Sequence, residues 1–214
     1  MPHTNQRKDL FDKWAGTYDA DLRGEEAFPF LGYDAVLQSF VKRAEIQPAH
    51  RVLDVGIGTG NLASRLNIPD EQIWGLDFSS AMLEKAQLAH PGAHLVQADL
   101  TREGWLEKLD SRFDRILSSY TFHEFPDAVK VEILKKMASY WLKEGGLIII
   151  GDISFQNLAD YHSAQERFAA WWDGDEYYWC AEALSDVLCQ AGFSMYYEQV
   201  SACAGIYQLT WKGC

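Results

Sequence analysis

Short apolar runs alternate with helix-like segments from Arg51 to Ile150, and this alternation constrains the fold more than any other feature. The five runs are Arg51–Val55, Ile73–Leu76, His94–Ala98, Phe113–Ser118 and Leu147–Ile150. The intervening segments with helical character are Asn61–Asn67, Ser79–His90 and Asp127–Lys143. Strands that alternate with helices build a parallel sheet with helices on both faces. The pattern therefore predicts an α/β, doubly wound fold.

The two ends of the chain follow other patterns. The apolar residues between Val36 and Ala44 fall on one helical face, and Leu10 to Tyr18 carries a second apolar stripe. The tail predicts two helices and two strands, at Asn157–Trp172, Ala181–Ala191, Ser194–Ser201 and Ile206–Trp211. Closely linked strands pair antiparallel. We therefore expect a Rossmann-like, mostly parallel seven-stranded sheet with an antiparallel C-terminal hairpin and an N-terminal helical cap.

Length and charge narrow the possibilities further. A chain of 214 residues suits one domain, here divided into a cap (1–48), a ligand-binding core (49–153) and a substrate-side tail (154–214). The net charge of −12 disfavours nucleic acid and anionic membranes as partners. No apolar stretch approaches the roughly 20 residues of a membrane helix, and the first eight residues lack an apolar signal core. We expect a cytoplasmic protein whose four cysteines are free thiols.

A glycine-rich segment, Asp54-Val55-Gly56-Ile57-Gly58-Thr59-Gly60, directly follows the first apolar run. Glycines let a backbone approach a ligand closely, and a following helix presents free N–H groups. The segment lies where open α/β sheets bind ligands, at the carboxyl end of a strand. No lysine follows Gly60, which excludes a triphosphate-binding P-loop. A dinucleotide loop fails when counted from Gly56 but passes when counted from Gly58, with Ala63 at its third position, so this alternative stays open.

Two acids accompany the loop. Asp54 ends the first strand, and a carboxylate there suits a cationic ligand better than a pyrophosphate. S-adenosylmethionine (SAM) carries a sulfonium and an ammonium group but no phosphate. Asp77 lies 21 positions after Gly56, a spacing that suits a carboxylate on ribose hydroxyls. Enzymes that use NAD and enzymes that use SAM both have such an acid, so Asp77 predicts an adenosine ligand without separating the two.

Several segments together resemble class I SAM-dependent methyltransferases, and the chain is similar to small uncharacterised methyltransferases of Bacillus and its relatives. Asp54–Gly60 resembles the first motif of that family, and Asp77–Ala86 resembles the second. The other matching segments are Phe11–Asp19, Gln97–Leu100, Phe113–Phe125 and Leu142–Gly146.

The resemblance implies a set of SAM-binding residues and a set near the methyl acceptor. The implied cofactor residues are Asp54, Gly56, Gly58, Gly60, Asp77, Phe78, Met82, Ala98, Asp99, Leu100, Ser118 and Tyr18. The implied substrate-side residues are Trp14, Tyr120, Glu124 and Trp179. For several of these residues a purely structural role remains as the alternative. The acids can cap loops or helices, Ser79 and Met82 can begin and pack a helix, and the aromatic residues can be core.

His123 is the candidate general base. It follows the fourth strand, and an imidazole with a pKa near 7 can take a proton from an acceptor. The alternative is a loop histidine bonded to backbone. Methyl transfer by in-line displacement needs no metal, and no H-E-x-x-H or Cys/His set is present, so we expect none.

The predicted function is therefore transfer of a methyl group from SAM to a small-molecule acceptor. A non-catalytic SAM-binding protein is an alternative. An NAD-dependent oxidoreductase is disfavoured, because Tyr120 is followed four positions later by Glu124 instead of lysine. The sequence leaves the acceptor, the methylated atom and the oligomeric state open.

Overall fold

The computed structural model describes residues 12, 16, 28–102, 104–109 and 111–213. Eight strands form one sheet. They are β1 (Val52–Val55), β2 (Ile73–Asp77), β3 (His94–Gln97), β4 (Phe113–Ser119), β5 (Leu142–Phe155), β6 (Trp179–Cys180), β7 (Phe193–Gln199) and β8 (Ala204–Trp211). Within the described residues, five α-helices accompany them. They are α1 (Tyr33–Ala44), α2 (Ser80–Ala89), α3 (Asp127–Trp141), α4 (Leu158–Arg167) and α5 (Ala181–Gln190).

The strand order β3-β2-β1-β4-β5-β8-β7 confirms the predicted seven-stranded sheet. Strands β1 to β5 pair in parallel, whereas β8 pairs antiparallel with both β5 and β7. The two-residue strand β6 adds to β5 off this path. Order reverses at β1, which lies beside both β2 and β4, so the carboxyl ends of these strands border the crevice where such sheets bind ligands.

Alternate residues of the central strands face opposite cores, which is why helices cover both sides. Ile116 and Ile148 pack with Leu134 and Met137 of α3. Their neighbours Leu117 and Ile149 pack instead with the apolar face of α1. This face contains Val36, Leu37, Phe40 and Ala44, all fully buried. The helical-spacing prediction for this part of the cap is confirmed, and most of residues 1–27 lie outside the described part of the chain.

The helix predicted at Asn61–Asn67 is wrong. Only a short 3-10 turn forms there, at Ala63–Arg65, and Leu66 already has extended backbone. Twelve residues separate Gly60 from β2, but the last of them form a second 3-10 turn, Asp70–Gln72, with Pro69 as its N-cap. The glycine loop is therefore not followed by the helix N-terminus that the sequence analysis expected.

Two further boundaries differ from the prediction around β5. The helix α3 ends at Trp141, so Lys143 is not in its last turn. The lysine lies in β5 instead, where its Nζ donates to Oδ2 of Asp114 at 2.7 Å. The pair Gly145-Gly146 sits in an irregularity between the Phe113 and Arg115 pairings, and β5 continues through it. Lys143 thus forms an ion pair with a residue distant in the sequence, instead of lying at the end of a helix.

The predicted tail elements are present at slightly shifted bounds. No helix in the described ranges is long and apolar enough to cross a membrane. Cys180, Cys189 and Cys203 carry free thiols, as predicted, and Cys214 lies outside the described residues.

Candidate active site

The glycine loop bends sharply across the end of β2. The N–H groups of Gly56 and Ile57 both donate to the carbonyl of Leu76, at 2.7 and 3.0 Å. Gly56 has a φ of 76°, and an added Cβ would lie 2.1 Å from Oγ1 of Thr121. Glycine is therefore required at this position by its backbone angle and by close contact with the segment after β4.

Gly58 and Gly60 differ in what surrounds them. Gly58 has a φ of 55°, and no described atom lies within 4 Å of a Cβ added there, so its outer side is open. Gly60 has a φ of 90°, and its added Cβ would lie 2.8 Å from the His90 ring. The Gly60 carbonyl also accepts a hydrogen bond from the hydroxyl of Ser64. Packing accounts for glycine at position 60, and its predicted cofactor contact stays a prediction.

Asp54 is buried at the end of β1 with 1% exposure. Neither of its carboxylate oxygens has a hydrogen-bond partner among the described residues. Burial raises the pKa of Asp54 to about 8, and the neighbouring charge of Asp77 adds to the shift. The cap role that the sequence left open would require donors to these oxygens, and the described residues supply none.

Asp77 connects the loop to β2 and α2. Its Oδ2 accepts from the N–H of Gly58 and its Oδ1 from the N–H of Ser79, both at 2.9 Å. Burial raises the pKa of Asp77 to about 6, and these backbone hydrogen bonds oppose the rise. The N–H of Phe78 is a third backbone donor to this carboxylate, so of its roughly four acceptor positions about one remains for a ligand hydroxyl.

Ser79 is the N-cap of α2, which is the structural role that the sequence left open for it. Its Oγ accepts from the N–H of Met82 at 3.2 Å, and Met82 is buried against the sheet. The Ser79 hydroxyl also donates to the carboxylate of Asp12. Asp12 belongs to the segment expected to cover the cofactor. Trp14 and Tyr18, predicted from the same segment, lie outside the described residues.

The predicted third-strand residues lie at the same edge of the sheet. The N–H of Ala98 donates to the carbonyl of Asp77 at 2.9 Å. Asp99 accepts from the N–H and hydroxyl of Thr101 and pairs with Arg102 at 3.2 Å, which makes it a loop acid in this structure. Phe78 and Leu100 are partly buried beside it. Their contacts with a cofactor stay predictions.

Ser118 lies inside the sheet instead of facing the crevice. It is fully buried, and its hydroxyl donates to the carbonyl of Val55 at 2.6 Å. This hydrogen bond ties β4 to the end of β1. Ser118 therefore supports the strand that carries Asp54, and its cofactor contact stays a prediction.

His123 lies in a 3-10 turn, Phe122–Glu124, that follows β4. Its Nδ1 pairs with Oδ1 of Asp152 at 2.6 Å, and its backbone N–H donates to Oδ2 at 3.0 Å. Burial disfavours the charged ring, but Asp152 outweighs it with help from Glu176 and Glu124, and the pKa rises to about 9. The expected pKa near 7 is wrong. At neutral pH the ring already carries its proton, which argues against a general base.

Two further carboxylates face the other ring nitrogen of His123. Its Nε2 lies 3.6 Å from Oε1 of Glu124 and 3.7 Å from Oε1 of Glu176. The N–H of Tyr177 donates to the carbonyl of His123 at 2.7 Å, which holds the segment containing Glu176 against the turn. Glu124 therefore lies beside His123, as the substrate-side prediction requires, whereas Glu176 was not predicted.

The two predicted aromatic residues do not present open faces. Trp179 is fully buried, and its Nε1 donates to Oδ2 of Asp152 at 3.3 Å, so it positions Asp152 from behind. Its predicted contact with an acceptor is replaced by this core role. Tyr120 has a φ of 49° and packs its ring against Tyr33 at 5.1 Å. It closes the end of β4 under α1, a covering role that the sequence had left open.

Sequence reasoning missed Asp152 and Glu176. Asp152 is the single charged residue in the apolar run from Leu147 to Phe155, and a buried acid in such a run signals a specific partner. Nothing in the local sequence of Glu176 distinguishes it from the exposed acids at Asp173 and Asp175. Its position depends on the contact between Tyr177 and His123.

Comparisons with known proteins agree with this geometry. Residues 52–146 match the family model described as a methyltransferase domain. An uncharacterized methyltransferase of Geobacillus kaustophilus is 32% identical over 205 residues, which cover 91% of this chain and 92% of the relative. The structure of a DhpI–SAM–HEP complex superposes with a TM-score of 0.69 at 17% identity, covering 98% of this chain and 99% of that one. Magnesium protoporphyrin IX methyltransferase from Synechocystis, with bound SAH, gives 0.63 at 15% identity, covering 95% and 98%.

The reversed strand order and the two acids beside a glycine loop define a Rossmann-like protein with the fold of SAM-dependent methyltransferases. The extent and identity of the sequence match decide the family. The chain belongs to the methyltransferase family, as its sequence motifs predicted.

Proposed function

We propose that this protein transfers the methyl group of SAM to a small-molecule acceptor. The observation that carries the proposal is the buried carboxylate of Asp54, which accepts no hydrogen bond from the described residues and lies near Asp77, the acid that binds the N–H of Gly58. A buried charge is costly unless an opposite charge meets it. The ammonium and sulfonium groups of SAM supply positive charge, whereas Asp54 would repel the pyrophosphate of a dinucleotide.

The residues at this edge fit such a ligand. Asp54 would meet a cationic group, and Gly58 lets the backbone approach without a side chain in the way. Asp77 would accept from a ribose hydroxyl at the acceptor position that the N–H groups of Gly58, Phe78 and Ser79 leave unused. Ala98 and Asp99 border the position expected for the adenine. Each of these contacts is part of the proposal.

When bound, the cofactor supplies a methyl group already activated by the sulfonium charge. The protein must then align an acceptor with that methyl group and exclude water, and positioning of this kind can lower a barrier by about 7–11 kcal/mol. The acceptor side would be the segment after β4, because Thr121 contacts Gly56 and His123 follows two residues later. A protonated His123 would orient an acceptor by donating a hydrogen bond; it would not remove a proton.

The first test is calorimetry with S-adenosylhomocysteine (SAH). We expect binding to the wild type. SAH keeps the ammonium group of SAM but not its sulfonium charge, so a contact between Asp54 and the ammonium group predicts at least tenfold weaker binding to Asp54→Asn, because a charge-assisted contact is worth about 1.5–3 kcal/mol. Absence of binding to the wild type would overturn the proposal, and binding of NADH instead would favour the oxidoreductase alternative.

The second test screens transfer of a tritiated methyl group from SAM to small-molecule acceptors. Transfer to one of them supports the enzyme. Binding of SAH without transfer to any acceptor would favour the non-catalytic SAM-binding alternative. The domain division, the cytoplasmic location and the absence of nucleic-acid or membrane partners stay predictions.

A further inference from the structure

Three side chains converge on one point after β4, although they come from two distant parts of the chain. Nε2 of His123 and one oxygen each from Glu124 and Glu176 lie within 4.8 Å of one another. The His123 side chain is 9% exposed and each glutamate side chain is 15% exposed. The cluster is therefore largely shielded but still reachable from solvent.

The distances within this cluster are too long for hydrogen bonds. A charge-assisted bond between a nitrogen and a carboxylate oxygen spans about 2.7–2.9 Å. The Nδ1 side of His123 has such a bond, at 2.6 Å to Asp152. On the Nε2 side the separations are 3.6 and 3.7 Å, and Nε2 has no hydrogen bond to the described residues. This buried nitrogen points between two carboxylates without bonding to either.

The same distances fit ligands that share an ion. Nitrogen and oxygen ligands each about 2.1 Å from a metal lie about 3.4 Å apart at a tetrahedral angle. The two separations from Nε2 exceed this value by a few tenths of an ångström, and the carboxylate oxygens lie within 4.8 Å of each other, so small side-chain movements would bring all three atoms to metal-ligand distances. The cluster thus has a spacing close to that of a metal site, with two loose ion pairs in its place.

Asp152 provides the support that a histidine ligand needs. Nδ1–H donates to Asp152, so the proton on Nε2 is the one that a metal ion would displace, and the lone pair freed in this way would lie between the two glutamates. Histidine ligands of metals commonly donate their other nitrogen to a carboxylate in this way, which fixes the ring and its tautomer. Asp152 is itself held by Trp179 and by the N–H of Ile153, at 3.3 and 2.8 Å.

We propose that His123, Glu124 and Glu176 bind a divalent first-row transition-metal ion. One imidazole and two carboxylates suit zinc, manganese, iron or cobalt better than the all-oxygen cages of calcium. Three protein ligands leave further positions of the ion open, as catalytic sites require. This proposal revises the expectation that the protein binds no metal. That expectation rested on the absence of known metal-binding sequence motifs, and a site made of two adjacent residues and a distant glutamate forms no such motif. Binding of an oxygen atom of the methyl acceptor at the open positions is a further step, and it rests on the proposed function.

The test titrates Co²⁺ and Zn²⁺ into the untagged, chelator-treated full chain, followed by calorimetry and by visible absorption of Co²⁺. We expect one equivalent of either ion to bind, with cobalt bands typical of nitrogen and oxygen ligands. Glu124→Gln and Glu176→Gln should each weaken binding at least tenfold. Asp175→Asn removes the same charge from the exposed neighbour of Glu176, and it should bind like the wild type.

Three outcomes would overturn the proposal. The first is no stoichiometric binding of either ion to the wild type. The cluster would then be a group of residues that share a proton and bind no metal. The second is equal affinity in the two glutamate variants, or an equal loss in Asp175→Asn. The third is a thiolate charge-transfer band, which would place the ion at a cysteine such as exposed Cys189. SAH binding by the same samples checks folding and tests the donor site separately, so each proposal can fail without the other.

Discussion

The N–H of Gly58 donates to Oδ2 of Asp77 at 2.9 Å, so one hydrogen bond joins the glycine loop to the acid of the neighbouring strand. Replacement of Asp77 by asparagine removes the charge that accepts this bond and the expected ribose contacts. We predict about 10- to 100-fold weaker SAH binding by calorimetry, since bonds to charged groups are worth about 1.5–3 kcal/mol. Glu84→Gln, an exposed acid on α2, is the control. Unchanged affinity in Asp77→Asn would exclude Asp77 from the site.

Gly58 and Gly145 form a matched pair for testing the open side of the loop. Both have positive φ, 55° and 73°, and at neither position does an added Cβ meet a described atom within 4 Å. Alanine at either position should therefore cost a similar amount of stability, about 1 kcal/mol, from backbone strain alone. Only Gly58→Ala should weaken SAH binding, because its Cβ would enter the space the cofactor occupies. Equal SAH affinities would place the ligand elsewhere.

The raised pKa of Asp54 predicts how cofactor binding depends on pH. Below a pKa of about 8 the buried carboxyl is protonated, and a cationic ligand must displace that proton. SAH affinity should therefore increase by up to about tenfold per unit between pH 6 and 8, with release of a proton. Asp77, with its pKa near 6, contributes in the same direction at the lower end. Asp54→Asn should flatten the profile, and calorimetry in two buffers counts the protons.

The same shift predicts an opposite trend for stability without ligand. The folded pKa of Asp54, about 8, lies above the unfolded value of about 3.9, so its contribution is complete below pH 4. It declines by about 1.4 kcal/mol per pH unit and is lost once the pH passes 8. Urea unfolding of the wild type and Asp54→Asn, compared at pH 5 and 8, measures it. A difference that does not change with pH would contradict the shift.

Lys130 should stabilise the segment that carries Glu176. This lysine is fully buried, its Nζ donates to the carbonyl of Tyr177 at 2.5 Å and to Asp127 at 2.8 Å, and it lies over the Trp179 ring. Lys130→Ala should lower the free energy of unfolding by about 2–3 kcal/mol. Lys135→Ala, an exposed lysine on the same helix, should cost less than 1 kcal/mol, since its pair with Glu132 is on the surface. Similar losses in the two variants would argue against this role.

Periodicity could predict the elements whose apolar face is formed by residues close together in the sequence. The alternation of Ile116 with Leu117, and of Ile148 with Ile149, is visible in the chain and decides which core each residue enters. The helix expected at Asn61–Asn67 is absent although its apolar residues are compatible with one, because the connection to β2 is divided into two 3-10 turns, Ala63–Arg65 and Asp70–Gln72. Periodicity does not measure that constraint.

The donor side of the site could be anticipated and the His123 cluster could not. Asp54 and Asp77 lie at strand ends within recognisable motifs. Because the two strands are parallel neighbours, the sequence predicts that these acids lie close together. Asp152 comes 29 residues after His123, and Glu176 belongs to the tail segment before β6. Their approach depends on the length of β5 and on the Tyr177 hydrogen bond to His123, which no local pattern encodes. For this reason the expected pKa of His123 was also wrong.

The sheet distributes its two sets of acids between its two halves. Asp54 and Asp77 come from β1 and β2, whereas the carboxylates around His123 come from β5 and from the turns beyond β4 and before β6. Under the proposed function, we expect substitutions in the tail, which carries Glu176, to change which compound is accepted while the affinity for SAM is preserved. An engineer could exchange residues 154–214 for those of a relative and use retained SAH affinity to recognise correctly assembled chimeras before searching for their new acceptors.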